Sequence, residues 1–238
     1  MNPNPKHRHQ DGFPTSDSIN HLINNLGDSI NTFSKTKRPF SGDHRRVLIG
    51  DSHIRSYVNT PKPLLNSDYN LYCVVKPGSG SEELMATASE VMRRLSQDDL
   101  VVVCSGTNDY DLNDFSLTFQ NIKNYVMINN NSNIILMNVP FRYDLWNSSS
   151  VNKNISVLNR KLRKLAKAFP HINFLQTFKN RNLFTAHGLH RSKLGKKLVN
   201  LQLAHLLLTA FDQNLHYQSL LVGMIGGMIL TCQVLQIK

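Results

Sequence analysis

The chain is short of cysteine, of acidic residues through its second half, and of long apolar runs, and each shortage removes a class of protein. Cys73, Cys104 and Cys232 are its only cysteines. They are odd in number and lack the paired spacing of a disulfide framework or a zinc site, so no metal and no cofactor is expected. Cys73 and Cys104 sit in apolar runs, where a thiol behaves as a small hydrophobe, which points to a reducing, intracellular and cytoplasmic setting. Met1 to Gln10 are polar with no apolar core, so this stretch is not expected to act as a cleaved secretory signal. The longest uncharged apolar run, Leu220 to Leu235, is shorter than the ~20 residues of a comfortable membrane span. It carries Gly223 and Gly227 at the spacing of a helix-dimerisation face. A docked helix or an incidental extension ranks ahead of a membrane anchor.

No Asp or Glu occurs between Asp144 and Asp212, yet twelve Lys and Arg lie from Lys153 to Lys197. The formal net charge is +11 and the pI about 9.7. Such a field attracts RNA or another polyanion without specific contacts. An unspecialised basic surface is the competing explanation.

Residues 1–43 are rich in Asn, Ser, Pro and His and read as a flexible polar arm. Within it Ile19, Leu22, Ile23, Leu26, Ile30 and Phe33 recur at helical spacing, which predicts a short amphipathic helix over about Ser18 to Phe33. Residues 44–212 read as one domain, followed by the apolar tail 213–238. Five continuous β-branched runs predict strands buried on both faces: Arg46 to Ile49, Leu71 to Val75, Leu100 to Cys104, Ile134 to Asn138 and Ile172 to Leu175. Helical patterns separate or follow them at about Glu82 to Leu95, Phe115 to Ile128, Val151 to Ala168 and Ser192 to Leu208. Ser79, three residues before Glu82, predicts a capping box at the first of these. Alternation of strand and helix gives right-handed crossovers and a parallel sheet, whose ligands sit at the carboxyl ends of the strands.

Four motifs fall at such ends. Gly50-Asp51-Ser52 follows the first strand; Gly50 is expected to let the chain turn, and Ser52 is either a nucleophile or an ordinary capping serine. Pro77-Gly78-Ser79-Gly80 follows the second, where a glycine lets a backbone N–H face an oxyanion. Ser105-Gly106-Thr107-Asn108-Asp109 follows the third; the Asn108 amide suits a developing negative charge, and Asp109 suits bracing the loop. His187-Gly188-Leu189-His190 precedes the last helix and offers an imidazole as general base.

The order of these motifs resembles the SGNH hydrolase (GDSL esterase) family over about Val47 to Leu208. The resemblance implies a three-layer α/β/α sandwich with a five-stranded parallel sheet, flavodoxin-like, acting on a small acyl ester. It implies that Ser52 is the nucleophile and His190 the base. The oxyanion hole would be the Ser52 N–H, Gly78 and the Asn108 amide, with Gly80 as the alternative glycine; Asp51 is a further supporting residue. The family usually has an Asp three residues before the catalytic His, and this chain has His187. Loss of that carboxylate in a serine triad lowers turnover by about 10⁴-fold; a neutral His187 at the base-orienting position cannot supply the charge, and a Ser-His dyad is expected, with a backbone carbonyl or another carboxylate available to orient His190. Lys76-Pro77-Gly78, Val139-Pro140-Phe141-Arg142-Tyr143-Asp144 and His187-Gly188-Leu189-His190 are similar to the esterase-like domains of insect and non-LTR retrotransposon proteins. The Val139 to Asp144 segment reads as a pocket wall or as a simple turn. A catalytically weak module that binds a polyanion is the alternative function.

Overall fold

The central strands carry continuous apolar runs because both of their faces are covered, and the computed structural model shows what covers them. It describes residues 20–21, 23–26, 28, 45–55, 57, 70–96, 98–109, 115–130, 132–146 and 149–209. The strands are β1 (Arg45–Gly50), β2 (Asn70–Val75), β3 (Leu100–Cys104), β4 (Asn133–Met137) and β5 (Ile172–Leu175). The helices are α1 (within 20–28), α2 (Ser81–Met92), α3 (Ser116–Ile128), α4 (Val151–Ala168) and α5 (Lys193–Thr209). The expected α/β class, five strands and following helices are all present, with ends that coincide or shift by up to three residues. Of the predicted amphipathic helix only positions within 20–28 are described, and the tail 213–238 lies outside the described residues.

Successive side chains of a strand point to opposite faces, and the core divides accordingly. Val47, Ile49, Val101 and Val103 pack with Leu84, Ile122 and Leu158 of α2, α3 and α4. Leu48, Val102 and Ile135 pack on the other face with Val199 and Leu203 of α5 and Leu26 of α1. The result is the three-layer sandwich. In α4 the periodicity is explicit: Ile155, Leu158, Leu162 and Leu165 are buried, whereas Lys153, Arg160, Lys161, Arg163, Lys164 and Lys167 are exposed.

All strand pairs are parallel and the order is β2-β1-β3-β4-β5. The chain leaves β1 in one direction to form β2, then crosses back over β1 to form β3. The crevice between the carboxyl ends of β1 and β3 is therefore the switch point, where a doubly wound sheet binds its ligand. At the opposite end Asp99 accepts from the Arg45 and Ser96 backbone amides at 2.7 and 2.8 Å and pairs with the Arg45 guanidinium at 2.9 Å.

Gly50 serves a different purpose from the expected turn. It is still a paired strand residue, opposite Val75 and Cys104, and does not have a positive φ. A Cβ there would lie 2.7 Å from the Cys104 carbonyl oxygen and 3.0 Å from Ile54 Cγ2. Close approach of β3 excludes a side chain at this point. Gly50→Ala is expected to destabilise the protein by about 1–3 kcal/mol, the range for overpacking a tight site. Urea denaturation checks this; an unchanged midpoint would show that the β1–β3 contact yields freely.

Candidate active site

At the end of β1 the chain enters a single 3₁₀ turn, Ser52–Ile54, capped by the Asp51 carboxylate, which accepts from the His53 amide at 2.8 Å. The cap is thus Asp51, and Ser52 stands half-buried as the first residue of the turn, at the switch point. Asp51 is fully buried. Burial pushes its carboxyl up to about 6, against the pull of the His53 amide and the Thr107 hydroxyl, and the Asp109 charge adds to the rise.

The loops after β2 and β3 close on the same point. The Asn108 amide donates to the Ser79 carbonyl at 3.0 Å and lies 3.4 Å from Asp51 Oδ2, so one side chain spans the ends of β1, β2 and β3. Gly78 has φ +79° and open space around it. Gly80 is instead the N-cap of α2, and a Cβ on it would lie 2.6 Å from Asp109 Oδ1. This corrects the expected capping box. Gly80 has no side chain to offer, and the Ser81 amide donates to both Asp109 oxygens at 3.0 and 3.2 Å. Asp109 also accepts from the Thr118 hydroxyl at 2.9 Å, which makes it the brace between α2 and α3. A surface hollow of about 590 Å³ beside it, lined by Gly80, Glu83, Leu117 and Asn121 among others, includes neither Ser52 nor His190.

The histidine loop is tied at both ends. Phe184 and Arg191 form an antiparallel bridge, and the Thr185 amide donates to the His190 carbonyl at 2.8 Å. The buried Arg191 guanidinium donates to the Phe178 carbonyl at 3.0 Å and to Thr177 Oγ1. Thr177 in turn donates through its amide and hydroxyl to Asn138 Oδ1, both at 2.7 Å, at the end of β4. Held in this way, the His190 ring lies 4.7 Å from the His53 ring, tilted by 47°. His187 is exposed.

His53 escaped the sequence reading; its signal was adjacency to Ser52. Burial first, then the charges of His190, Arg191 and Arg142, push its imidazole down to about 3, so it is neutral across the physiological range. His190 is also pushed below the ordinary histidine value, by burial and by Lys196, Arg142 and Arg55, with Asp144 opposing. Its imidazole is therefore mainly neutral at neutral pH. Asp144 was likewise not singled out as a site residue. Among the described residues no cluster of three or more His, Cys, Asp or Glu is placed to hold a metal, and no helix is long and apolar enough to cross a membrane.

No protein-family model and no curated protein matches the chain. Solved structures do. A member of the lipolytic protein G-D-S-L family from Veillonella parvula superposes with a TM-score of 0.58 at 13% identity, covering 67% of this chain and 95% of its own. The lipase/acylhydrolase from Enterococcus faecalis gives 0.57 at 17% identity, covering 71% and 97%. The acetyl xylan esterase AlAXEase gives 0.53 at 16% identity, covering 67% and 97%. At such identities the likeness establishes the fold, which is the α/β sandwich of the SGNH hydrolases.

The raised Asp51 carboxyl has a consequence for stability. Its folded pKa of about 6 exceeds the reference value of 3.8, so the folded state holds the proton more tightly. The corresponding stability is present below pH 3.8 and lost as the pH climbs to about 6. Asp51→Asn, which stays neutral, should gain about 3 kcal/mol relative to wild type between pH 4 and 7. Paired denaturation curves at the two pH values test this; a constant difference would show that Asp51 titrates normally.

Proposed function

We propose that the chain is a serine hydrolase of the SGNH kind that cleaves a small acyl ester, with Ser52 and His190 as a catalytic dyad. The observation that carries this reading is the meeting of separate loop ends at the β1/β3 switch point, where the ring next to Ser52 rests on His190 at 4.7 Å. The names of the similar structures, an acylhydrolase and an acetyl xylan esterase, agree with an acyl-ester substrate.

In this scheme the neutral His190 takes the proton of the Ser52 hydroxyl as Oγ attacks the acyl carbon. The tetrahedral oxyanion is met by the Ser52 and Gly78 backbone N–H groups and by the Asn108 amide, whose N–H toward Asp51 is engaged only at 3.4 Å and can turn to the ligand. The imidazolium then protonates the departing alkoxide, leaving an acyl-Ser52 ester. Water, activated by His190, releases the acid and restores Ser52. His53 contributes bulk without charge, so it adds no repulsion to the imidazolium.

A second activity is favoured by one surface. The outer face of α4 carries six exposed cations, none of them ion-paired with an acidic residue among the described residues. Lys153, Arg160, Lys164 and Lys167 fall within about one quarter of the helix circumference, a stripe ~21 Å long. With no large exposed apolar side chain on that face, the stripe suits the phosphates of RNA.

Ser52→Ala should abolish both hydrolysis of p-nitrophenyl acetate and labelling by a fluorophosphonate. Asn108→Ala should lower kcat by about 10²–10³-fold, as removal of one oxyanion donor does. Activity should fall with decreasing pH along a limb centred below the ordinary histidine value. Folded wild-type protein that resists the probe would remove the enzyme reading. For the α4 stripe, filter binding to single-stranded RNA should weaken steeply with salt and be largely lost in Arg160→Glu/Lys164→Glu. Salt-independent binding would exclude it.

A further inference from the structure

The exposed side chain at 187 leaves the base without the acidic neighbour that the family pattern supplies, and the structure brings a different carboxylate to the same loop. The segment after β4 is clamped onto the histidine loop along its length. The Tyr143 amide donates to the Gly188 carbonyl at 3.1 Å, the Tyr143 hydroxyl donates to the Lys179 carbonyl, and the Tyr143 ring meets the Phe184 ring edge-on at 4.8 Å. Gly188 has φ +82°, and a Cβ on it would lie 2.4 to 2.7 Å from the Tyr143 carbonyl group and the Asp144 nitrogen. Only a glycine permits this approach. It places the backbone of Asp144 against the residue two before His190.

The Asp144 carboxylate is itself fixed. Arg142 binds it through two parallel hydrogen bonds, Nε to Oδ1 at 2.8 Å and a terminal nitrogen to Oδ2 at 2.7 Å. Arg142 is buried, and its backbone is anchored to α4 by Asn152, which accepts from the Arg142 amide at 2.8 Å and donates to its carbonyl at 2.9 Å. Such a fork holds a planar group in one orientation at little entropic cost. Arg142 also keeps the carboxyl below the usual range, so it is ionised at neutral pH.

We propose that Asp144, held by Arg142 across the Gly188 contact, is the carboxylate that positions His190, replacing the acidic residue absent at 187. The proposal rests on the hydrolase reading and deepens it: Asp144 touches no reacting atom and acts through the imidazole. The groups whose charges reach His190 are Arg55 from the β1 turn, Arg142 and Asp144 from the β4 loop, and Lys196 from α5; the neutral His53 ring packs beside it. Asp144 is the one carboxylate among them and the one group that favours imidazolium. It also explains why Val139 to Asp144 is more than a turn, since Arg142 holds the orienting carboxylate, Tyr143 holds the base loop and Asp144 is the carboxylate itself.

The test combines NMR titration of the histidine ring signals with steady-state kinetics. In Asp144→Asn the His190 pKa should fall further, and kcat should drop roughly 10- to 100-fold with little change in KM, the pattern of an interaction made mainly in the transition state. Asp144→Glu should recover part of both. His187→Ala should cost less than Asp144→Asn. Should Asp144→Asn fail to fold, Arg142→Met, which keeps the carboxylate charged but unclamped, is read instead: the His190 pKa rises while kcat falls. An unchanged His190 pKa and kcat in Asp144→Asn, or an unchanged kcat in a folded Arg142→Met, would overturn the assignment. The titration needs no turnover, so an inactive wild type would defeat the hydrolase reading and still leave the titration to decide on Asp144.

Discussion

The Asp51 carboxylate carries more of this site than any other single group. It is buried with no cation among the described residues paired to it, an arrangement that costs free energy and shows in its raised pKa. In exchange it caps the turn that presents Ser52 and stands within reach of the Asn108 amide, so the ends of β1 and β3 are referenced to one another through it. The bare backbone of Gly50 sets how closely those strand ends approach, and Asp51 sets what faces the crevice between them. The other loops then lock onto this pair: Asn108 reaches on to the Ser79 carbonyl, and His53, whose backbone amide the same cap holds, supplies the ring beside which His190 packs.

Electrostatics gives the two histidines different characters. Burial first, and then a neighbourhood where cations outnumber carboxylates, push both toward the neutral form. His53 is more deeply buried and remains an inert wall. His190 is partly exposed and keeps a basicity that a nearby carboxylate can tune. The proposed Ser-His pair requires an imidazole held in one orientation, and the hydrogen-bonded segment 142–144 against Gly188 suits that task.

The fold was legible because its signals are local. A strand covered on both faces has to be apolar throughout, and a helix covered on one side has to be periodic, so β1 to β5 and α2 to α5 could be placed within a few residues. The four motifs were legible as well, since each lies directly after a strand or before a helix. What escaped was long-range. Ser79 had the spacing of a capping box, yet the N-cap of α2 is Gly80, and the carboxylate that accepts from the Ser81 amide is Asp109, 28 residues away in sequence. Gly50 looked like a turn glycine because its steric partner, the Cys104 carbonyl, is contributed by a neighbouring strand. His53 and Asp144 carry no motif of their own, and their proximity to His190 depends on how three loops pack.

The sequence alone determined the layered architecture and the set of polar side chains delivered to the sheet's carboxyl edge, because burial pattern and strand-end position are properties of short segments. Tertiary structure decided which of those side chains meet. The order β2-β1-β3-β4-β5 puts the first and third strand ends side by side, Arg191 and Gly188 fix the last loop over them, and Arg142 holds Asp144 in place. Distances of a few ångströms between groups far apart along the chain are set by packing, and packing is written in no single segment.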